Sequence, residues 1–203
     1  MEVYTIGHSN YPLERLIDMV KFYGIDCVID IRGIPYSKYN IQYNKEIIER
    51  SLREAGFTYI YMAKEFAANR VNKESYNKIG YADFEKVIYE KDFLNGIERL
   101  KRGLDLGYKI VLLGAMQEPI RCHRGILVGR ALRDRRFIVK HIMDDYSIAS
   151  QEELEEQLLE KYFSNRNQLS IDNLLGNGMD RKAMIEESYR LANKEIGYRV
   201  EHL

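Results

Sequence analysis

Short runs of continuously apolar residues, separated by stretches of helical period, constrain this chain more than any other feature. Asp26 to Ile31 and Lys109 to Leu113 carry Val, Ile and Leu with no polar alternation, as strands covered on both faces must. Glu2 to Ile6, Thr58 to Met62 and Phe137 to Met143 complete a set of five candidate strands. Between them, Leu13, Leu16, Ile17, Val20 and Tyr23 recur at helical spacing after Pro12 and stop at Gly24, and Ile47, Ile48, Leu52 and Ala55 do the same before Gly56. Asn44 stands where it would cap that second helix. Further helices are predicted over 82–90, 93–106 and 122–134, and residues 63–80 read as an irregular loop long enough to be functional. Alternation of this kind predicts an α/β protein: a three-layer sandwich with a mainly parallel five-stranded sheet.

Beyond Asp145 the pattern changes. Ser150 with Glu153 forms a capping-box pair ahead of an acidic helix, Asp180 can cap another running to about Lys194, and a Gly176-Asn177-Gly178 stretch lies between them. The organisation is therefore a core domain over residues 1–145 and a helical C-terminal extension over 146–203, packed on that core. The 203 residues suit one filled core with such an extension rather than two ordinary domains.

Charge excludes little globally, because 31 basic residues balance 31 acidic ones. Locally it is uneven: Arg121 to Lys140 holds Asp134 as its single acid, while Glu152, Glu153, Glu155, Glu156 and Glu160 crowd one helix. No apolar stretch approaches the roughly 20 residues of a membrane helix. The N-terminus shows no secretory leader, so a cytoplasmic location and no membrane partner are expected.

Ligands of open parallel sheets bind beyond the carboxyl ends of the strands. The residues there are Gly7-His8-Ser9-Asn10 after the first strand, Asp30-Ile31-Arg32 leading to Ser37 after the second, and Gly114 to Pro119 leading to Cys122-His123-Arg124 after the fourth. If the sheet is parallel they converge on one rim. His8 has a side chain suited to general acid or base work, and Asp30 could accept a ligand proton or hydroxyl. Asp30 and Arg32 share one side of a strand, so an internal ion pair competes with that use. Cys122 near a helix start and among arginines could be a thiolate nucleophile. The same place could hold an anion on free backbone donors, Arg121 and Arg124. The bland alternative makes Cys122 a packing residue and pairs Arg124 with an acid such as Asp30. A cysteine-phosphatase arrangement is excluded, since Val128 stands six residues after Cys122. Cys27, in a buried strand, reads as a small hydrophobe, and no structural disulfide is expected.

These motifs carry a resemblance. Thr5-Ile6-Gly7-His8-Ser9, Asp30-Ile31-Arg32 with Pro35 and Ser37, the Tyr-rich segment before Glu65, Pro119 with Cys122-His123-Arg124, and Val139-Lys140-His141-Ile142 resemble the domain-of-unknown-function 488 family over roughly the first 145 residues. The resemblance implies the fold and the pocket rather than a reaction. Family members usually place a second cysteine and a glutamate at the positions occupied here by Gly114 and Met116, so a two-cysteine redox cycle within that motif is unavailable.

The leading expectation is an enzyme or binding protein for a phosphorylated or nucleotide-like anion, with His8, Asp30 and Cys122 as catalytic candidates. Gly7, Ser9, Arg32, Ser37, Tyr39, His123 and Arg124 are the ligand-binding candidates. The alternatives are a thiol-dependent enzyme centred on Cys122 and a nucleic-acid module. The module would use the basic 121–136 segment with Tyr36, Tyr39 and Tyr43, three of the sixteen tyrosines. No cofactor is specified, and His8, Cys122, His123 and His141 lack the close paired spacing of a metal site.

Overall fold

A computed structural model describes residues 1–166 and 179–200. The Gly176-Asn177-Gly178 stretch lies outside the described residues. The strands are β1 (Glu2–Gly7), β2 (Cys27–Asp30), β3 (Thr58–Tyr61), β4 (Ile110–Gly114), β5 (Ile138–Ile142) and β6 (Ile148–Ser150). They form one six-stranded sheet in the order β3-β2-β4-β1-β5-β6. The first five are mutually parallel, and β6 runs antiparallel to β5 with Ala149 opposite His141. The expected five strands thus become six. The extra one, Ile-Ala-Ser, is too short and too polar to announce itself, and it is made by the first residues of the extension.

Alternating side chains of each strand feed two cores, which is why the apolar runs are continuous. Tyr4, Ile6, Val28, Val111 and Leu113 pack on one face with α1 (Leu13–Phe22) and α2 (Lys45–Glu54). Val3, Cys27, Ile29, Ile110 and Leu112 pack on the other, against α5 (Lys91–Asp105) and the later helices. This is the three-layer α/β architecture. The 63–80 stretch is not structureless: it holds α3 (Ala63–Phe66) and a 3-10 turn at Lys73–Ser75, and Tyr76 bridges Ala82. The helix expected over 82–90 contracts to α4 (Phe84–Val87), capped by Asp83.

The segment after Cys122 departs most from expectation. Instead of an ordinary helix from residue 122, a π-helical stretch spans Arg124–Gly129 and continues into α6 (Arg130–Asp134). Such widened turns are rare and concentrate at functional sites. Glycines make it compatible with its neighbours: a Cβ on Gly125 would sit 2.5 Å from the Pro119 carbonyl oxygen, and one on Gly129 would sit 2.4 Å from Gln151 Oε1.

The extension supplies α7 (Gln151–Tyr162), with both bonds of the Ser150–Glu153 capping box made, and α8 (Arg181–Ile196), capped by Asp180. Leu154, Leu158, Tyr189 and Ala192 of these helices lie in the same core as Val3 and Leu112. Among the described residues no helix is long and apolar enough to cross a membrane.

Candidate functional site

The connections fix where a crevice must open. From β1 the chain leaves across β4 toward β2, and from β4 it leaves across β1 toward β5. Adjacent strands whose connections depart in opposite directions leave a gap at their carboxyl ends. A cavity of about 360 Å³ lies there, lined by His8, Ser9 and Asn10 after β1, Ala115 to Glu118 and Arg121 after β4, and Asn40 from the loop after β2.

Backbone geometry shapes its walls. His8 N donates to the Gly114 carbonyl at 3.1 Å and Ser9 N to that of Ala115 at 2.9 Å, so the two loops continue the sheet ladder beyond the strands. A Cβ on Gly7 would fall 1.7 Å from the Met116 carbonyl oxygen. Gly7 is therefore explained by the close passage of this chain's own loop. Ser9 adopts the left-handed region at φ 50°, a conformation that non-glycine residues hold only when their surroundings enforce it.

Beneath the cavity, Asp30 and Arg32 are buried and bonded to each other twice: Arg32 Nε donates to Asp30 Oδ1 at 2.9 Å and Nη2 to Oδ2 at 2.6 Å. The remaining acceptor capacity of Asp30 takes Arg32 N at 3.0 Å and Tyr59 OH at 2.8 Å. Arg32 Nη1 donates to the Tyr43 carbonyl and to His8 Nε2. His8 Nδ1 carries its own proton, donated to the Ser9 carbonyl, and the ring stacks on Tyr43 at 4.0 Å between centroids. Burial and the neighbouring guanidinium hold the His8 imidazole down at about 4. His8, Asp30 and Arg32 do come together, as a closed and satisfied network in which only His8 faces the cavity.

Ser37 and Tyr39 are elsewhere. Ser37 Oγ accepts from Tyr39 N and Asn40 N and closes a turn, while Tyr39 is 94% exposed. Asn44 occupies the cap position of α2, but its side chain accepts from Ser37 N rather than from the helix.

Cys122, His123 and Arg124 form a second cluster behind the Ala115–Glu118 loop. Cys122 is 3% exposed, and its sulfur lies 2.9 Å from where a Cβ on Gly114 would be, so glycine at 114 makes the space it occupies. His123 Nε2 donates to the Ile31 carbonyl at 3.0 Å, which turns Nδ1 toward Cys122 Sγ at 3.8 Å. Arg124 is the largest fully buried side chain. It donates from Nη1 to Thr5 Oγ1 at 2.7 Å and from Nη2 to the Gln117 carbonyl, while its Nε has no partner. The expected pairing with an acid such as Asp30 is not made: Asp30 is saturated by Arg32, and among the described residues no carboxylate reaches Arg124. The group that answers this cation is the thiol. Burial works against a Cys122 thiolate, but the His123 imidazolium and the Arg124 guanidinium outweigh it and bring the thiol down to about 6. Burial likewise opposes the His123 imidazolium, and the thiolate raises it nonetheless. Cys27 behaves oppositely, its thiol pushed up to about 11 by burial and by Asp26.

A family model described as "Domain of unknown function DUF488" matches residues 12–131, more than half of the chain. The chain belongs to the DUF488 family. No curated protein matches it, and no solved structure does. The DUF488 match takes in Asp30, Arg32 and the Cys122 cluster; the Thr5 to Ser9 and Val139 to Ile142 motifs and the whole extension lie outside it. Among the described residues no group of three or more His, Cys, Asp and Glu could hold a metal ion.

Sequence reasoning missed Thr5, Gln117, His141 and Gln151 as partners of this site. Only His141 carried a signal, as a histidine in the middle of an apolar strand. Part of the basic segment is engaged internally: Arg130 pairs with Glu186 and Arg133 with Glu155, both from the extension.

Proposed function

We propose that the protein is a thiol-dependent enzyme acting on a small phosphorylated or nucleotide-like anion seated in the cavity between the ends of β1 and β4, with Cys122 as nucleophile. What carries this reading is the buried Arg124 guanidinium, which has no carboxylate partner among the described residues and lies beside a thiol already faced by His123. A buried cation without an anion is costly, and a thiolate at Cys122 supplies the missing charge. With the thiolate formed, imidazolium and guanidinium leave one net positive charge behind the cavity wall. At the mouth Arg121 is paired with Glu118 at 3.9 Å, so the field that favours anions comes from the charge behind the wall. Cys122 is buried and does not line the cavity, so in the reaction the 115–118 loop would move aside. Sγ would then form a bond to an electrophilic centre of the ligand as the bond to the leaving group breaks, His123 Nδ1–H would protonate that group, and water would cleave the covalent intermediate to restore the thiolate.

Arg32 and Arg124 are not the anion's ligands in this reading, since both are buried and their terminal nitrogens are bonded inside the fold. Arg121, Asn10, Asn40 and the backbone of the 115–118 loop take that role. The experiment is alkylation of Cys122 against pH, with and without inorganic phosphate or adenosine monophosphate, in a Cys27→Ala background. The midpoint should lie well below that of an ordinary thiol near 8.5, and the anions should slow the reaction. A midpoint at 8.5 or above sinks the thiolate. Single-strand nucleic-acid binding that weakens steeply with salt, with no effect of mononucleotides on alkylation, would favour the nucleic-acid module instead.

A further inference from the structure

We infer that the C-terminal extension governs the reactivity of Cys122, through a buried one-way chain of hydrogen bonds that runs from Arg124 by way of Thr5, His141, Gln151 and Tyr189 to Glu155 and fixes the guanidinium beside the sulfur. The inference rests on the thiolate reading above and adds to it residues that do not touch the ligand.

The direction of every bond follows from donors and acceptors. Gln151 Nε2 donates to the Gly125 carbonyl at 3.1 Å and to Tyr189 OH at 2.9 Å, so its amide cannot be reversed without setting two carbonyl oxygens against each other. Gln151 Oε1 therefore faces His141 Nε2 at 2.9 Å and requires the proton there. His141 is fully buried, and burial together with the nearby Arg124 guanidinium keeps it neutral, which leaves Nδ1 as an acceptor. Its partner at 2.7 Å is Thr5 Oγ1, which must then donate. The lone pairs of Thr5 Oγ1 remain for Arg124 Nη1. At the far end Tyr189, having accepted from Gln151, donates to Glu155 Oε1 at 3.0 Å, and the Glu155 carboxylate is closed by Arg133.

Each member has one arrangement that satisfies it, so the chain selects one pose of Arg124. That matters because among the described residues no acid holds Arg124. Gly129 belongs to the same construction, since any side chain there would strike Gln151 Oε1. Besides Arg124, the group that acts on Cys122 is His123, and Tyr11 acts on Arg124. Among the described residues neither bonds to a member of the chain between Thr5 and Tyr189. Thr5, His141, Gln151 and Tyr189 are thus positioning residues, and all four lie outside the span matched by the family model.

The test uses the full chain with Cys27→Ala, so that Cys122 alone reports, and reads the pH midpoint of iodoacetamide alkylation. Thr5→Val removes both the acceptor for Arg124 and the donor to His141, and should raise the midpoint by about one pH unit, the size of a displaced neighbouring charge. Thr5→Ser keeps the hydroxyl and should restore it. Tyr189→Phe, in the extension and lacking only an oxygen, should move the midpoint in the same direction by a smaller amount. It decides the matter if Thr5→Val does not fold. A low midpoint in the parent that neither folded variant moves overturns the inference and leaves the thiolate reading intact. An ordinary midpoint in the parent removes the thiolate reading itself.

Discussion

Asp30 shows how far a single residue can be read. Its spacing from Arg32 allowed either an ion pair or a ligand contact, and the pair is made, with every carboxylate oxygen occupied by Arg32 or Tyr59. Asp30→Ala would leave a buried guanidinium unanswered and should cost about 3–5 kcal/mol in urea unfolding. Tyr59→Phe, removing one donor from a charged acceptor, should cost about 1–2 kcal/mol. A loss below 1 kcal/mol for Asp30→Ala would mean that Arg32 is held by something else. The Asp30–Arg32 pair was legible because it spans two residues of one strand. Arg124 was not: its partners are a threonine hydroxyl 119 positions away and a loop carbonyl, and no local pattern encodes either.

At the level of elements, strand positions were legible to within about a residue, because burial on two faces leaves an unbroken apolar run. Two things were not. The π-helical stretch at Arg124–Gly129 has the sequence of an ordinary helix, and the widened turn coincides with the approach of Pro119 and Gln151 to its glycines, a tertiary cause. The β6 strand owes its existence to the free edge of β5 rather than to its own three residues. The β1 and β4 loops also depend on each other. Gly7→Ala would push against the Met116 carbonyl and should destabilise the protein by about 1–3 kcal/mol, the range for overpacking. Because the same loop accepts from Arg124 at the Gln117 carbonyl and Cys122 is buried, loosening it should also speed alkylation at fixed pH. A variant that melts lower yet reacts no faster would show that the 115–118 loop does not gate the sulfur.

For the whole molecule, part of the balanced charge is matched between core and extension: basic Arg130 and Arg133 meet acidic Glu186 and Glu155 of the extension. The site itself adds a pH dependence with a definite sign. His8 and His141 are kept neutral by burial, at about 4 and about 3 against an ordinary 6.5. Between pH 6.5 and 4 the unfolded chain binds protons at both positions that the folded chain refuses, so stability must fall as pH falls. At about 1.4 kcal/mol per unit of gap, each histidine removes roughly 3 kcal/mol by pH 4. The Cys122–His123 pair scarcely contributes just above this window, because moving a proton from thiol to imidazole leaves the folded and unfolded chains binding the same number. His8→Gln keeps an acceptor for Arg32 Nη1 and abolishes one titration. Its urea midpoint should therefore decline less than the parent's between pH 7 and pH 4.5, the difference reporting His8 alone. Parallel declines in the two proteins would show that His8 takes up its proton in the folded state, and that the Arg32 contact does not hold the imidazole neutral.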